Sequence, residues 1–92
     1  MSDLVGRTPV GAMQVIELDA STAQDLEVPQ GAVLALISVE GAIRWRDDGP
    51  PPTPSEGHPM GDASMLYGGS LTAIKLIAQS RRPVVATISY YR

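Results

Sequence analysis

Glycine and proline divide the chain into short segments, and this spacing constrains the fold more than any other feature. The chain has nine glycines and eight prolines among 92 residues, and the apolar runs between them are rich in Val, Ile and Leu. Short runs of this composition, bounded by turn-forming residues, are typical of β-strands. We therefore predict an all-β fold, either a small antiparallel β-sandwich or a flattened barrel of seven to eight strands.

Seven segments with alternating or continuous apolar residues are predicted strands: 12–18, 25–28, 32–40, 42–46, 64–67, 71–78 and 83–91. The segment 32–40 is nearly continuously apolar, which predicts a central strand buried on both faces. A buried helix is the competing interpretation, but the β-branched residues and flanking glycines favour a strand. In the segment 42–46, alternation places Trp45 inward, and Arg44 and Arg46 outward.

The length of the chain predicts one domain, because two cores would each be too small to be stable. We expect residues 1–11, which are small, polar and interrupted by glycine and proline, to form a flexible N-terminal arm. Residues 12–92 then form a single β-sandwich domain. The chain has no cysteine, so disulfides cannot stabilise this small core. Self-association as a dimer or trimer is the expected way to bury more apolar surface.

The net charge of −3 is unevenly distributed along the chain. Residues 1–40 contain one cation and six acids, whereas residues 41–92 contain six cations and four acids. This asymmetry favours docking between copies if the two halves form separate surfaces, but not if they mix in one sheet. The few scattered basic residues predict no binding to nucleic acid. No apolar run approaches the roughly 20 residues of a membrane span, so we expect a protein made in the cytoplasm without a membrane partner.

The sequence Asp47-Asp48-Gly49 predicts a tight turn after the strand 42–46. Aspartate carboxylates accept hydrogen bonds from nearby backbone amides, and glycine adopts the positive φ that such turns require. The alternative is a calcium site that also uses Glu56 and Asp62, but the spacing does not match a calcium-binding loop. We therefore favour the turn and expect neither a metal nor another cofactor.

His58 is the only histidine in the chain, and the residues around it do not predict catalysis. A zinc site needs further histidines or cysteines, and a nucleophile elbow needs a Gly-x-Ser-x-Gly sequence that is absent. We expect an exposed loop histidine in a protein that is not an enzyme. If the loop contacts a neighbouring subunit, His58 would give that contact a pH dependence.

Prolines and aromatic residues near this turn each allow two interpretations. The segment 50–54, with four prolines, favours extended polyproline geometry and is either a stiff surface strap or a docking ligand for an aromatic groove. Trp45 either anchors the core beneath the loop or stacks on sugar together with tyrosines. Arg44 and Arg46 form ion pairs either with nearby acids or with another subunit. We favour the strap and the core anchor.

From residue 28 onward, about two thirds of the chain resembles small virion structural proteins of tailed bacteriophages and prophages. The residues that carry the resemblance fall in six segments, of which Arg-Trp-Arg-Asp-Asp-Gly followed by Pro-Thr is the most distinctive: 28–32, 39–41, 43–49, 52–60, 67–77 and 88–91. The resemblance implies a compact β-sandwich module that decorates or cements the head, or forms part of its fibres. It implies no catalytic residue.

From this resemblance we expect a virion protein that binds the major capsid protein on the outer capsid surface and stabilises the shell. The alternative is a receptor- or carbohydrate-binding module of a head fibre or tail component. The residues expected to contact the capsid or another subunit lie in the N-terminal arm, on the strand 42–46 and in the loop that follows: Leu4, Val5, Arg7, Val10, Arg44, Arg46, Asp47, Asp48, Pro52 and His58.

Overall fold

A computed structural model describes residues 6–92, and every regular element in this part of the chain is a β-strand. The predicted all-β class is confirmed. The strands, in chain order, are β1 (Gln14–Leu18), β2 (Gln24–Asp25), β3 (Leu34–Arg46), β4 (His58–Tyr67), β5 (Lys75–Ala78) and β6 (Val84–Tyr91). The described residues contain no helix long and apolar enough to cross a membrane.

The six strands form one antiparallel sheet, which curls into a nearly closed barrel. The long strand β3 lies at the centre of the strand order. The strand order is β1-β6-β3-β5-β2, and β4 pairs with the other edge of β3. The first half of β3 pairs with β6, and its second half pairs with β5. The backbone N–H of Ala78 donates to the carbonyl of Asp19 at 3.0 Å, which ties the end of β5 to the end of β1. The sheet thus covers both sides of one core.

The long strand β3 replaces the two strands predicted at 32–40 and 42–46. Glycine had suggested a break at Gly41, but pairing with β4 continues through it with a shift in register between Val39 and Ala42. Gly41 has a φ of 110°, and its N–H donates to the Asp62 carboxylate at 2.9 Å. A glycine bulge bends a strand without ending it, and this is one reason why the structure has six named strands instead of seven or eight.

The core lies between the two halves of the curled sheet. Val84, Ala86, Ile88 and Tyr90 of β6 alternate inward and are almost completely buried. On β3 the residues at 35, 37, 39 and 43 are equally buried, whereas those at 34, 36 and 38 on the opposite face are half-exposed. The prediction that the segment 32–40 is buried on both faces is therefore wrong. Its outer face is covered by no other layer of the described residues, so apolar side chains there stay partly in solvent.

Three other segments differ clearly from the predicted boundaries. β2 covers only Gln24–Asp25, where a strand was predicted at 25–28. β4 begins at His58 and not at residue 64, so the long loop is shorter than expected. β5 covers four residues because residues 71–73 form a turn. Within the predicted arm, residues 8–10 extend the sheet, since Val10 N–H donates to the Tyr90 carbonyl at 2.9 Å and Arg92 N–H donates to the Thr8 carbonyl at 3.0 Å.

Candidate functional site

The polar residues of the turn after β3 and the start of β4 surround one shallow cleft, which we call the loop cleft. Its volume is about 420 Å³. The cleft is lined by Arg46, Asp47, Asp48, Glu56, Gly57 and His58. It therefore brings together four of the residues predicted from the sequence, together with Glu56 and Gly57, which were not predicted as contact residues. Three carboxylates face one guanidinium and one imidazole in this small region.

Arg46 and Asp48 form a bidentate ion pair across the predicted turn. The Arg46 Nε donates to Asp48 Oδ1 at 2.8 Å, and Nη2 donates to Oδ2 at 2.7 Å. These hydrogen bonds lower the pKa of the Asp48 carboxyl and raise that of Arg46. The pair lies in solvent, so it contributes little to the free energy of folding. Its main effect is to hold two long charged side chains in one orientation.

Asp47 is anchored to the core side of the barrel by Tyr67. The Tyr67 hydroxyl donates to Asp47 Oδ2 at 2.6 Å, although the two residues are twenty positions apart. Tyr67 is 7% exposed. Burial, and then the hydrogen bond to Asp47, raise the pKa of Tyr67 to about 12. The chain bends at residues 48–50, with Gly49 at a φ of 114°. The carboxylates of Asp47 and Asp48 accept hydrogen bonds from the side chains of Tyr67 and Arg46, where the turn prediction had placed backbone amides.

Trp45 and His58 are partners in the β3–β4 register and stack beside the cleft. Their ring centroids are 4.6 Å apart at an interplanar angle of 36°, and Tyr67 meets Trp45 edge-on at 5.9 Å. Trp45 is half-buried and packs against the core, as predicted, while His58 is exposed. Trp45 is not among the residues that line the loop cleft. The geometry therefore gives no support to a sugar-binding role for this ring.

The proline-rich segment is held down at its centre. Pro52 is buried, and the backbones of Thr53 and Glu56 exchange hydrogen bonds of 2.9 and 3.2 Å. The Thr53 hydroxyl also accepts from the Glu56 N–H at 2.9 Å. Pro51, Pro52 and Pro54 line a second groove of about 490 Å³ that also contains Ile77, which is 3% exposed. The segment therefore lies at the surface beside β5 and is fully buried only at Pro52.

Arg44 is the contact between this strap and β3. Its Nη1 donates to the Gly57 carbonyl at 3.0 Å, while its buried Nε has no hydrogen-bond partner among residues 6–92. Gly57 has a φ of 133°, and a Cβ there would lie 3.0 Å from the Trp45 carbonyl and 3.2 Å from Pro52. Glycine is therefore required where the strap crosses β3. Arg44 is a structural support of the loop and does not line the cleft.

The remaining predicted contact residues lie in or near the N-terminal segment. Arg7 is exposed and Val10 is half-buried, and neither lines the loop cleft. Leu4 and Val5 lie outside the described residues. Within residues 6–92, no group of three His, Cys, Asp or Glu side chains is placed to hold a metal ion. Asp62, which we had considered as a calcium ligand, binds the N–H of Gly41.

Sequence reasoning missed the residues that fix the loop from outside it. Tyr67 lies at the end of β4, and no local pattern links it to Asp47. The Thr53-x-x-Glu56 spacing was a usable signal, because a threonine hydroxyl often accepts from an N–H two or three residues later. No protein-family model, curated protein or solved structure matches the chain.

Proposed function

We propose that this chain is a non-enzymatic virion structural protein of a bacteriophage or prophage. It is made in the host cytoplasm, binds the major capsid protein on the outer surface of the assembled capsid, and stabilises the shell. The sequence resemblance described above supports the virion role. The observation that carries the choice of contact surface is that most of residues 47–58 are exposed, while contacts with the barrel hold the segment in one conformation.

The order of this loop comes from separate anchors along its length. The Arg46–Asp48 ion pair and the Tyr67–Asp47 hydrogen bond hold its beginning. Buried Pro52 holds its centre, and the Arg44–Gly57 hydrogen bond holds its end. An exposed loop that is ordered before binding loses little conformational entropy when it contacts a partner. Its charged side chains are also fixed in position, which favours recognition of a complementary charged surface.

The proposed mechanism is stabilisation by preferential binding. Many copies would bind across junctions between capsid proteins and would bind the expanded shell more tightly than its precursor. A ligand that binds one state better shifts the equilibrium toward that state by mass action. The capsid contact would combine the loop cleft with the N-terminal segment, in which Arg7 is exposed.

Cosedimentation with purified shells tests this function. The wild-type protein should sediment with expanded shells and less with precursor shells. Asp48→Arg should weaken this binding, because it removes the ion pair with Arg46 and reverses a charge in the cleft. Glu17→Arg is the matched control, since Glu17 is an exposed acid on β1 outside the cleft. Equal binding by the wild type and the Asp48 variant would exclude the loop cleft as the contact.

A truncation tests the N-terminal segment separately. Removing residues 1–7 takes away Leu4, Val5 and Arg7. It leaves the hydrogen bond from the Val10 N–H to Tyr90 and that from the Arg92 N–H to Thr8, and it changes only the Thr8 nitrogen, which becomes the new terminus. The shortened protein should have the far-UV circular dichroism of the full chain and bind expanded shells more weakly. Full binding by this truncation would remove the N-terminal segment from the proposed contact.

A further inference from the structure

One edge of the sheet lacks a partner strand along its full length. β4 pairs with β3 and with no other strand of the described residues, so the backbone groups along its second edge are unpaired. A free edge of ten residues is long, because strands in globular proteins most often have about five or six residues. Such an edge is a template for pairing with another extended chain unless the sequence prevents it.

The first half of β4 contains several features that prevent edge pairing. Pro59 cannot donate a backbone hydrogen bond, and His58 is stacked on Trp45. Asp62 adds a charge and has a φ of 41°, which is unusual for a residue other than glycine and marks the irregularity opposite Gly41. Prolines, charges and bulges are the features by which natural proteins protect free edges. Residues 58–62 are thus protected.

The second half of β4 lacks every one of these features. Residues 63–67 (Ala, Ser, Met, Leu and Tyr) contain no charge and no proline, and they pair in unbroken register with residues 35–39. Ala63 and Ser64 are exposed, and Met65 and Leu66 are half-exposed. This half of the edge is therefore regular, uncharged and open to solvent.

We propose that residues 63–67 pair with the same residues of a second copy of this chain. The two β4 strands would run antiparallel about a two-fold axis at Met65 and join the two sheets. Ser64 of one copy would then lie opposite Leu66 of the other, and Ala63 opposite Tyr67. This pairing does not depend on capsid binding, and either can be correct without the other.

The sequence of the edge favours a second copy over another partner. An isologous pair places identical strands side by side, so a single charge near the axis would repel its own copy. Residues 63–67 contain none. Ala63 is small and would lie opposite Tyr67, whose side chain stays buried in the core of its own copy, so no bulky side chain blocks this end of the pairing. Methionine at the axis is flexible and packs well against another methionine. The pairing buries a small area, so we expect a weak, concentration-dependent dimer.

Cysteine cross-linking tests the register directly, because the chain contains no cysteine of its own. In Met65→Cys the two thiols would lie directly opposite each other, with Cα atoms about 4.5–5.5 Å apart, which is within disulfide range. In Ser64→Cys the two thiols would be displaced along the strands, with Cα atoms about 8 Å apart, beyond that range. Mild oxidation should therefore give covalent dimers of the first variant and little of the second. Equal cross-linking of both would overturn the register.

Sedimentation velocity tests the pairing without relying on the half-buried Met65. The wild type should shift from monomer to dimer as concentration increases. Ser64→Lys should raise the dissociation constant on the order of tenfold or more, because it brings a charge to the paired edge. Thr72→Lys, an exposed position in the turn after β4, should dimerise as the wild type does. A wild type that stays monomeric at millimolar concentration, or a Ser64 variant that dimerises normally, would overturn the proposal.

Discussion

Replacing Gly41 by alanine should destabilise the fold strongly, because two independent costs meet at this residue. Its φ of 110° is one that side-chain-bearing residues rarely adopt. A Cβ at this position would also lie 2.8 Å from Val84 Cγ2 and 3.3 Å from Cγ1. Val84 is 3% exposed and packed in the core, so it has little room to move.

The size of the effect follows from adding these two costs. The backbone cost of a left-handed conformation is about 1–2 kcal/mol for a residue with a Cβ. Overpacking of a core side chain costs about 1–3 kcal/mol. We therefore expect Gly41→Ala to lower the free energy of unfolding by about 2–5 kcal/mol, out of a total of about 5–14 kcal/mol for a domain of this length.

Urea denaturation of matched variants separates the two costs. Gly49 has a nearly equal φ of 114°, but a Cβ at this position would meet no atom of the described chain within 4 Å beyond its own neighbours, so Gly49→Ala should show the backbone cost alone. The double variant Gly41→Ala, Val84→Ala should lose less stability than the sum of the two single variants, because Val84→Ala removes the methyl groups that clash. Equal losses at Gly41 and Gly49 would refute the proposed clash with Val84. A loss below about 1 kcal/mol at Gly41 would refute both costs.

Three further outcomes can be measured on the same purified protein. The free energy of unfolding should change little between neutral pH and about pH 10 and fall between about pH 10 and 12, because Tyr67 and Tyr90 keep their protons in the folded state to a pKa of about 12 while unfolded tyrosines lose theirs near 10. Tyr67→Phe should reduce this loss of stability, as measured by urea denaturation at each pH. An unchanged loss in the variant would contradict the explanation by the buried Tyr67 hydroxyl. Asp48→Asn should leave the free energy of unfolding nearly unchanged, because its ion pair is exposed; a marked loss of stability would contradict the solvent-screened pair. Asp62→Ala should cost about 1–2 kcal/mol by removing the acceptor of the Gly41 N–H, and Asp62→Asn should recover most of this loss in the same denaturation assay.

The fold class was predictable because it depends on local alternation. The inward residues of β6 and the inward position of Trp45 follow from the two-residue period of a strand. The continuity of β3 was not predictable in the same way. Glycine both ends strands and forms bulges within them, and the Asp62 carboxylate that accepts the hydrogen bond of the Gly41 N–H comes from another part of the chain.

Four of the residues that line the loop cleft were among the predicted contact residues, but their arrangement was not predicted. The distinctive segment around Asp47 and Asp48 did locate the cleft. An ion pair between Arg46 and a nearby acid was one of the two predicted alternatives, and the structure shows it with Asp48. Tyr67 as the partner of Asp47 was missed, because this contact depends on how the barrel curls. Arg44 was predicted to point outward to a partner, yet its guanidinium is covered by the strap and bonded to Gly57.

The most direct test of the proposed function is quantitative mass spectrometry of virions purified from cells that carry the gene. The ratio of this protein to the major capsid protein should show many copies per particle, comparable to the number of capsid protein clusters on the shell. A few copies per particle would place the protein at the neck, tail or fibres. Absence from purified virions would contradict the virion role itself.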